Sequence, residues 1–283
     1  MCSVTLFSPA KINLFLKVIN KRRDDFHNLS SLFQAISLGD NLHFSRNDEQ
    51  NKDFLTCTDS SIPVDGNNLI LRAANLFRKK TGLKIYVKVH LEKHIPSQAG
   101  LGGGSSNPAT TLWALNVLSN TKISQDLLAE WSVEIGSDIP FFFSLGTAFV
   151  TGRGEFFTNL PSFNLNSLIV VKPPFGLSTK DVFKNLKLDS LNTFSVDLDQ
   201  VIEMEKKSPC FFNDLEVSAF ELKPELKKVK EQLEALGFKN VTMSGSGTSF
   251  FCFGSSSSAI SDEWFKEKVT AIRRASKSQW YAL

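Results

Sequence analysis

Between positions 100 and 106 the chain reads Gly100-Leu101-Gly102-Gly103-Gly104-Ser105-Ser106, and Asn107-Pro108-Ala109 and an apolar run follow at once. Glycine has no Cβ, so a run of three bares a row of peptide N–H groups toward one object. At the start of a helix such donors form an anion site, because the free N–H groups and the helix dipole both favour negative charge. The flanks suit that geometry. Upstream, Ile85, Val87, Val89 and Leu91 alternate with Tyr86, Lys88 and His90, the pattern of a half-buried strand. Downstream, Ser106 or Asn107 can cap a helix, Pro108 fits its first turn, and residues 109–118 continue it. The order strand, glycine loop, helix makes bound nucleotide the first hypothesis, against the plainer reading of a small-residue surface turn.

Spacing excludes the commonest phosphate loops. A P-loop needs Gly-Lys-Ser/Thr after its turn, but Gly104 is followed by Ser105 and no lysine lies inside the loop. The dinucleotide fingerprint needs a glycine where Ser105 stands. The Val-Ala-Ile-Lys and His-Arg-Asp sets of protein kinases are missing too.

At 283 residues the chain has room for two domains. Its formal charge of +3, from 32 basic and 29 acidic residues, argues against nucleic acid or a membrane surface as partner. Basic clusters are cancelled locally, as Lys21-Arg22-Arg23 is by Asp24-Asp25. Cys2, Cys57, Cys210 and Cys252 have no metal-ligand spacing and read as free thiols in a reduced compartment. No apolar run approaches the roughly 20 residues of a membrane span, and no signal peptide opens the chain. A cytoplasmic protein is expected.

Residues 10–18 alternate, with Ile12, Leu14, Leu16 and Val18 on one face and Lys11, Asn13, Phe15 and Lys17 on the other. Residues 33–38 and 41–44 read as a hairpin turning at Gly39-Asp40. Helices are expected over 68–81, stopped by Gly82, and over 124–135, with Leu127, Leu128, Trp131 and Ile135 as its buried stripe. After Gly152-Arg153-Gly154 the pattern restarts with a short strand at 168–172. A helix from Ser178 through Phe183 follows, with Asp181 placed for a capping box. Leu222, Leu226, Val229, Leu233 and Leu236 mark an amphipathic helix closed by Gly237. A strand pair at 241–243 and 249–253 and a helix near 259–269 complete an α+β second half, helices on one side of an antiparallel sheet.

Phosphoryl transfer needs donors around the phosphates, a cation against developing charge, and a group for the nucleophile's proton. The glycine loop offers the first. Asp138, before Ile139-Pro140 and three phenylalanines, is a candidate for the third, although a helix cap ahead of Pro140 explains it as well. Lys11 is a candidate cation, or a solvated strand lysine; His27 has a plain reading as a loop histidine. Ser244-Gly245-Ser246-Gly247-Thr248 permits close backbone approach, or simply makes a tight hairpin turn.

Together these blocks resemble the GHMP kinases. The resemblance rests on Ser8-Pro9-Ala10-Lys11-Ile12-Asn13-Leu14, on Pro96 with the 100–106 loop, and on residues 244–248. Phe26-His27-Asn28-Leu29, Leu32-Phe33-Gln34, Gly136-Ser137-Asp138-Ile139-Pro140 and Gly152-Arg153-Gly154-Glu155 are similar to the branch acting on a cytidine-diphosphate-bearing alcohol. The resemblance spans nearly the whole chain. It implies a two-domain α+β fold, with a ribosomal-protein-like N-terminal domain over 1–157 and a ferredoxin-like C-terminal domain over 158–283. The substrate site would lie in the cleft between them.

It also implies ATP as co-substrate with Mg2+, and a small-molecule substrate carrying a cytidine diphosphate group. Asp138 would take the hydroxyl proton and Lys11 would pair with it. Asn68, Lys93 and Gly100, Leu101, Gly102, Gly103, Gly104, Ser105 and Ser106 would hold the nucleotide. Asn13 would position the alcohol, Phe26, His27 and Phe183 the cytosine, and Thr179 the substrate phosphates, with Phe33 also on the substrate side. No clean acidic pair for the metal is visible, so phosphates and water would hold it, with Ser105 or Asp138 nearby.

Three positions depart from the family pattern. Phe26 replaces a tyrosine, Ser97-Gln98-Ala99 lacks a glycine, and Pro108 replaces an alanine. Rival readings are a GHMP kinase for homoserine, mevalonate or a sugar, or a nucleotide-binding regulator without catalysis. The Phe26-His27 pair with Phe183 speaks against the former and retention of Lys11 and Asp138 against the latter.

Overall fold

The computed structural model describes residues 3–163, 165–191, 196–207, 210–254 and 259–282. Cys2 and the serine run at 255–258 lie outside them. Two long antiparallel strands, β1 (Ser3–Lys21) and β2 (His27–Arg46), dominate the first half and pair from Ser3↔Ser45 to Lys21↔His27. Register shifts near Pro9, Leu14 and Ile19 interrupt the ladder. The middle shift breaks the expected alternation. Ile12, Leu14 and Phe15 enter one core while Leu16 and Val18 enter another.

The expected hairpin at Gly39-Asp40 is corrected, because both residues lie inside β2. Gly39 pairs with Pro9, and a Cβ there would meet the Phe7 ring at 2.2 Å. Asp40 is buried and bound by groups more than fifty residues away. Long-range contacts therefore override a local turn signal. The chain reverses instead at 22–26, where the Arg22 N–H donates to the Phe26 carbonyl at 2.8 Å.

β3 (Phe54–Cys57) and α1 (Leu69–Thr81) follow; Gly82 ends the helix as expected, and Asn68 caps it through its side chain rather than opening it. Next come β4 (Val87–Glu92) and α2 (Gly103–Ser119). α2 begins earlier than read: Gly102 is its cap, and Pro108 lies inside it rather than in its first turn. Ser106 and Asn107 lie inside the helix rather than capping it, and both bond the Ser8 hydroxyl, which donates to Asn107 Oδ1 at 2.8 Å and lies 2.7 Å from the Ser106 hydroxyl. α3 (Gln125–Ser132) is capped by Ser124 but stops short of Ile135, and Leu127 is exposed. There the Ile135 N–H bonds the Ser132 carbonyl, tightening the chain into a turn. β5 (Thr147–Gly152) and β6 (Phe156–Asn159) close the first half.

The second half holds β7 (Leu168–Lys172), α4 (Thr179–Asn185), α5 (Leu198–Lys207) and β8 (Phe212–Asn213). α6 (Leu215–Leu222), α7 (Pro224–Ala235), β9 (Lys239–Met243), β10 (Phe250–Phe253) and β11 (Phe265–Val269) follow. The Ser178 cap of α4 is as expected. The amphipathic helix read across 222–236 is two helices, since Pro224 starts α7 and leaves Leu222 to end α6. The helix expected near 259–269 is instead β11, whose five residues pair with β7.

Among the described residues one sheet has seven strands, β3-β4-β2-β1-β8 with β5 joined to β2 and β6 to β5; the other is antiparallel, β11-β7-β10-β9. Three cores stack through the molecule. α1, α2 and α3 cover one face of the large sheet. Ile12, Leu14, Ile36, Val170 and Phe251 fill the space between the sheets. α4, α6 and α7 cover the outer face of the small sheet through Val182, Leu215, Leu226 and Leu233. This is the bipartite α+β architecture that the sequence led us to expect.

Candidate active site

A cavity of about 440 Å³ opens at the N-terminus of α2, bounded by the glycine loop, the start of α1, Asp138 and Thr179. Gly102, at φ 72°, turns the chain into the helix. The first N–H groups of a helix have no intrahelical carbonyl, so those of Gly103 and Gly104 are free to face an anion. Nothing lies within 4 Å of where a Gly104 Cβ would stand. The loop is braced from the second half by residues 244–249. The Ser244 hydroxyl donates to the Gly100 carbonyl at 3.0 Å, and the Ser249 N–H to the Ala99 carbonyl at 3.2 Å. The 244–248 segment thus joins β9 to β10 and also clasps the glycine loop. A larger, more open depression of about 770 Å³ around Thr5, His43 and His90 lies on the large sheet, away from these groups.

Lys11 and Asn13 share a face of β1, as the alternation implied. The Lys11 ammonium donates to Asn13 Oδ1 at 2.6 Å, and Asn13 Nδ2 donates to the Ser31 hydroxyl at 2.9 Å. The Lys11 N–H bonds the Leu101 carbonyl at 2.9 Å, fastening β1 to the loop. A side chain at Gly102 would press on Lys11 Cγ at 2.8 Å. Asp138 faces Lys11 from the turn before Pro140. Burial pushes its carboxyl above the usual range, and the Lys11 charge pulls it back. Burial likewise lowers the Lys11 ammonium, which Asp138 opposes. A poorly hydrated carboxylate opposite an ammonium, beside a helix N-terminus, can accept a proton next to a bound phosphate.

The residues expected to hold the nucleotide divide. Gly100 through Ser105 line the cavity, whereas Ser106 is buried against Ser8. Asn68 lines it as the α1 cap, its Oδ1 accepting the Ile70 N–H at 2.9 Å. Lys93 also reaches the wall, but its ammonium is held by Asp40 at 2.9 and 3.0 Å and by the Ile95 carbonyl. Asp40 further accepts from Asn107 Nδ2 at 3.1 Å. Lys93 thus lines the cavity with its ammonium already paired.

Of the residues expected to meet the substrate, the His27 and Phe183 rings stack at 5.3 Å across the two halves. Burial, then the charge of Lys21, lowers the His27 imidazole below its ordinary value, favouring the neutral ring. Phe26 stays 52% exposed. Thr179 lines the cavity and accepts from the Ser246 hydroxyl at 2.7 Å. Phe33 is buried in the core with Lys11 Nζ 4.7 Å above its ring, so it supports Lys11 from beneath. Sequence reasoning gave no site role to Ser31, to Arg153, or to Asp40, which it read as a turn residue. Only Arg153 carried a signal, its place between two glycines.

Two family models match the chain: GHMP kinases N terminal domain over residues 68–146, and GHMP kinases C terminal over 196–270. A 4-diphosphocytidyl-2-C-methyl-D-erythritol kinase of Protochlamydia amoebophila (strain UWE25) is 52% identical over 282 residues, covering 100% of this chain and 94% of the relative. The chain belongs to the GHMP kinases, in the 4-diphosphocytidyl-2-C-methyl-D-erythritol kinase family. A chloroplastic member of that family from Arabidopsis thaliana is 46% identical, covering 88% of this chain and 67% of its own length. The crystal structure of a 4-(cytidine 5'-diphospho)-2C-methyl-D-erythritol kinase matches with a TM-score of 0.74 at 33% identity, over 90% of this chain and 92% of that one. A mevalonate kinase of Methanococcus jannaschii, with a TM-score of 0.68 at 13% identity over 96% of this chain and 99% of its own, shares the fold.

Proposed function

We propose that the chain transfers the γ-phosphoryl group of ATP to the 2-hydroxyl of 4-diphosphocytidyl-2-C-methyl-D-erythritol, giving the 2-phosphate and ADP in non-mevalonate isoprenoid precursor synthesis. The observation that carries this is the enclosed Lys11–Asp138 couple beside the N-terminus of α2. The loop N–H groups cradle the ATP phosphates. As the substrate oxygen bonds the γ-phosphorus, its proton passes to Asp138. The bond to the bridging oxygen breaks, and ADP departs with that electron pair. Lys11 keeps Asp138 ionised beforehand and offsets the charge that develops.

Residues 1–157 supply the nucleotide and catalytic groups, residues 158–283 form the second domain, and the substrate occupies the cleft between them. Asn13 orients the alcohol and Thr179 meets the substrate phosphates. Phe26, His27 and Phe183 receive the cytosine. At 5.3 Å the His27 and Phe183 rings are too close to admit a base between them, so it stacks on an outer face of the pair or on Phe26. Among the described residues no three His, Cys, Asp or Glu side chains gather into a metal cluster. Asp138 and the Ser105 hydroxyl at the cavity suit Mg2+ that arrives on the phosphates and keeps several waters. Bound there, the ion would neutralise phosphate charge. No described helix is long and apolar enough to cross a membrane, and a cytoplasmic location fits an enzyme drawing on ATP.

ADP release measured with the cytidyl substrate, mevalonate, homoserine and galactose tests the assignment. Turnover confined to the cytidyl substrate is expected; a preference for any of the other three refutes it.

A further inference from the structure

The turn that links β5 to β6 carries a cation that the reaction above does not use. Arg153 stands between Gly152 at φ 72° and Gly154 at φ 121°. Its guanidinium lies over the Phe26 ring, Cζ 4.9 Å from the centroid. Glu155 fixes the turn from behind. Its carboxylate accepts the Arg153 N–H at 2.5 Å and lies 3.6 Å from Arg153 Nε. That Nε is enclosed and makes no hydrogen bond, so the guanidinium is engaged by the Glu155 charge on one side and by the Phe26 ring on the other. Gly154 abuts the catalytic group, since a Cβ there would fall 2.6 Å from Asp138 Oδ1. One short turn therefore touches both the proton acceptor and the aromatic side chain at the far end of the substrate path.

We infer that Arg153 is a specificity-determining positioning residue, which holds the Phe26 ring as the platform for the cytosine. This rests on the cytidyl reading above. An exposed phenylalanine at a hairpin tip has no hydroxyl to anchor it, and a guanidinium on one face fixes its plane while leaving the other open. Pre-orienting the ring lowers the cost of ordering it when the base binds.

The test is a double-mutant cycle of Arg153→Met and Phe26→Ala, read as KM for each substrate. Arg153→Met should raise KM for the cytidyl substrate roughly 2- to 30-fold, with ATP KM and kcat nearly unchanged. Arg153→Lys should recover part of the loss. In the Phe26→Ala background the Arg153 change should have little further effect. Additive effects of the two changes, or an equal rise in ATP KM, would overturn the inference. So would weakened inhibition by cytidine diphosphate with unaltered inhibition by cytidine, which would make Arg153 a phosphate ligand instead. Failure of the parent enzyme to turn over the cytidyl substrate would refute the functional reading itself; normal parent turnover without Arg153–Phe26 coupling refutes this inference alone.

Discussion

Asp138 and Lys11 each lose water on folding, and each makes the other's charge tolerable. Burial drives the carboxyl up and the ammonium down, while their attraction opposes both shifts. In the proposed mechanism Asp138 must start ionised to take the proton, so the acid limb of kcat/KM should lie above the ordinary carboxylate range. Lys11→Met leaves burial unopposed and should move that limb to still higher pH. A profile that stays put or moves lower would contradict the pairing. Asp138→Asn keeps the shape and loses the proton acceptor. Its kcat should fall about 10²- to 10⁴-fold while ATP still binds in a titration, and full turnover would remove Asp138 from the mechanism. At the other end of the site, His27→Ala should raise KM for the cytidyl substrate and leave ATP KM nearly unchanged. Equal effects on both substrates would dissociate His27 from the base.

The clasp on the glycine loop is built from backbone, and backbone cannot step aside. A Cβ on Gly247 would stand 1.9 Å from the Gly100 nitrogen and 2.1 Å from the Ala99 carbonyl carbon. Gly247→Ala should therefore lower stability by about 1–3 kcal/mol and raise ATP KM, because the loop must shift away. Gly104→Ala meets no atom within 4 Å and, with alanine's better helix propensity, should keep or raise Tm. A melt in which the two variants behave alike would deny that the clasp is tight. Features of this kind were partly legible in the sequence. α1 could be read because the glycine that ends it is a local signal, and the glycine loop because its composition has few other uses. The hairpin at Gly39-Asp40 was misread because what holds those residues straight is the Phe7 ring and the Lys93 ammonium, distant in sequence. The Lys93–Asp40 ion pair shows the same limit, since its two partners are 53 residues apart. In β11 the charged Lys266, Glu267 and Lys268 hid a strand that exists only because β7 is there to pair with it.

At the scale of the whole molecule, the chain binds its two sheets into one body. The core between them draws side chains from both, and residues 274–281 return from the small sheet to the core of the large one. Arg274 anchors that return. It is 1% exposed, donates to the carbonyls of Phe143, Lys277 and Gln279 at 3.0, 2.8 and 2.6 Å, and stacks on Trp113 and Trp280. Burial lowers its guanidinium to about 10, which still leaves it charged at neutral pH. The Trp280 indole N–H donates to the Phe7 carbonyl at 2.9 Å, tying the segment to β1 as well. Arg274→Met would leave the buried Phe143 carbonyl without that donor and remove the bonds to the Lys277 and Gln279 carbonyls, and should cost about 1–3 kcal/mol, the penalty of an unsatisfied buried acceptor. Because the cores are shared, the loss should appear as one lowered transition rather than as early melting of one sheet. Tryptophan fluorescence and far-UV circular dichroism should give coincident midpoints in both parent and variant. Kinetic constants measured well below the new Tm should be nearly those of the parent, since Arg274 does not line the active-site cavity. Two separated transitions in the parent would show that the inter-sheet core and the returning segment do not couple the halves.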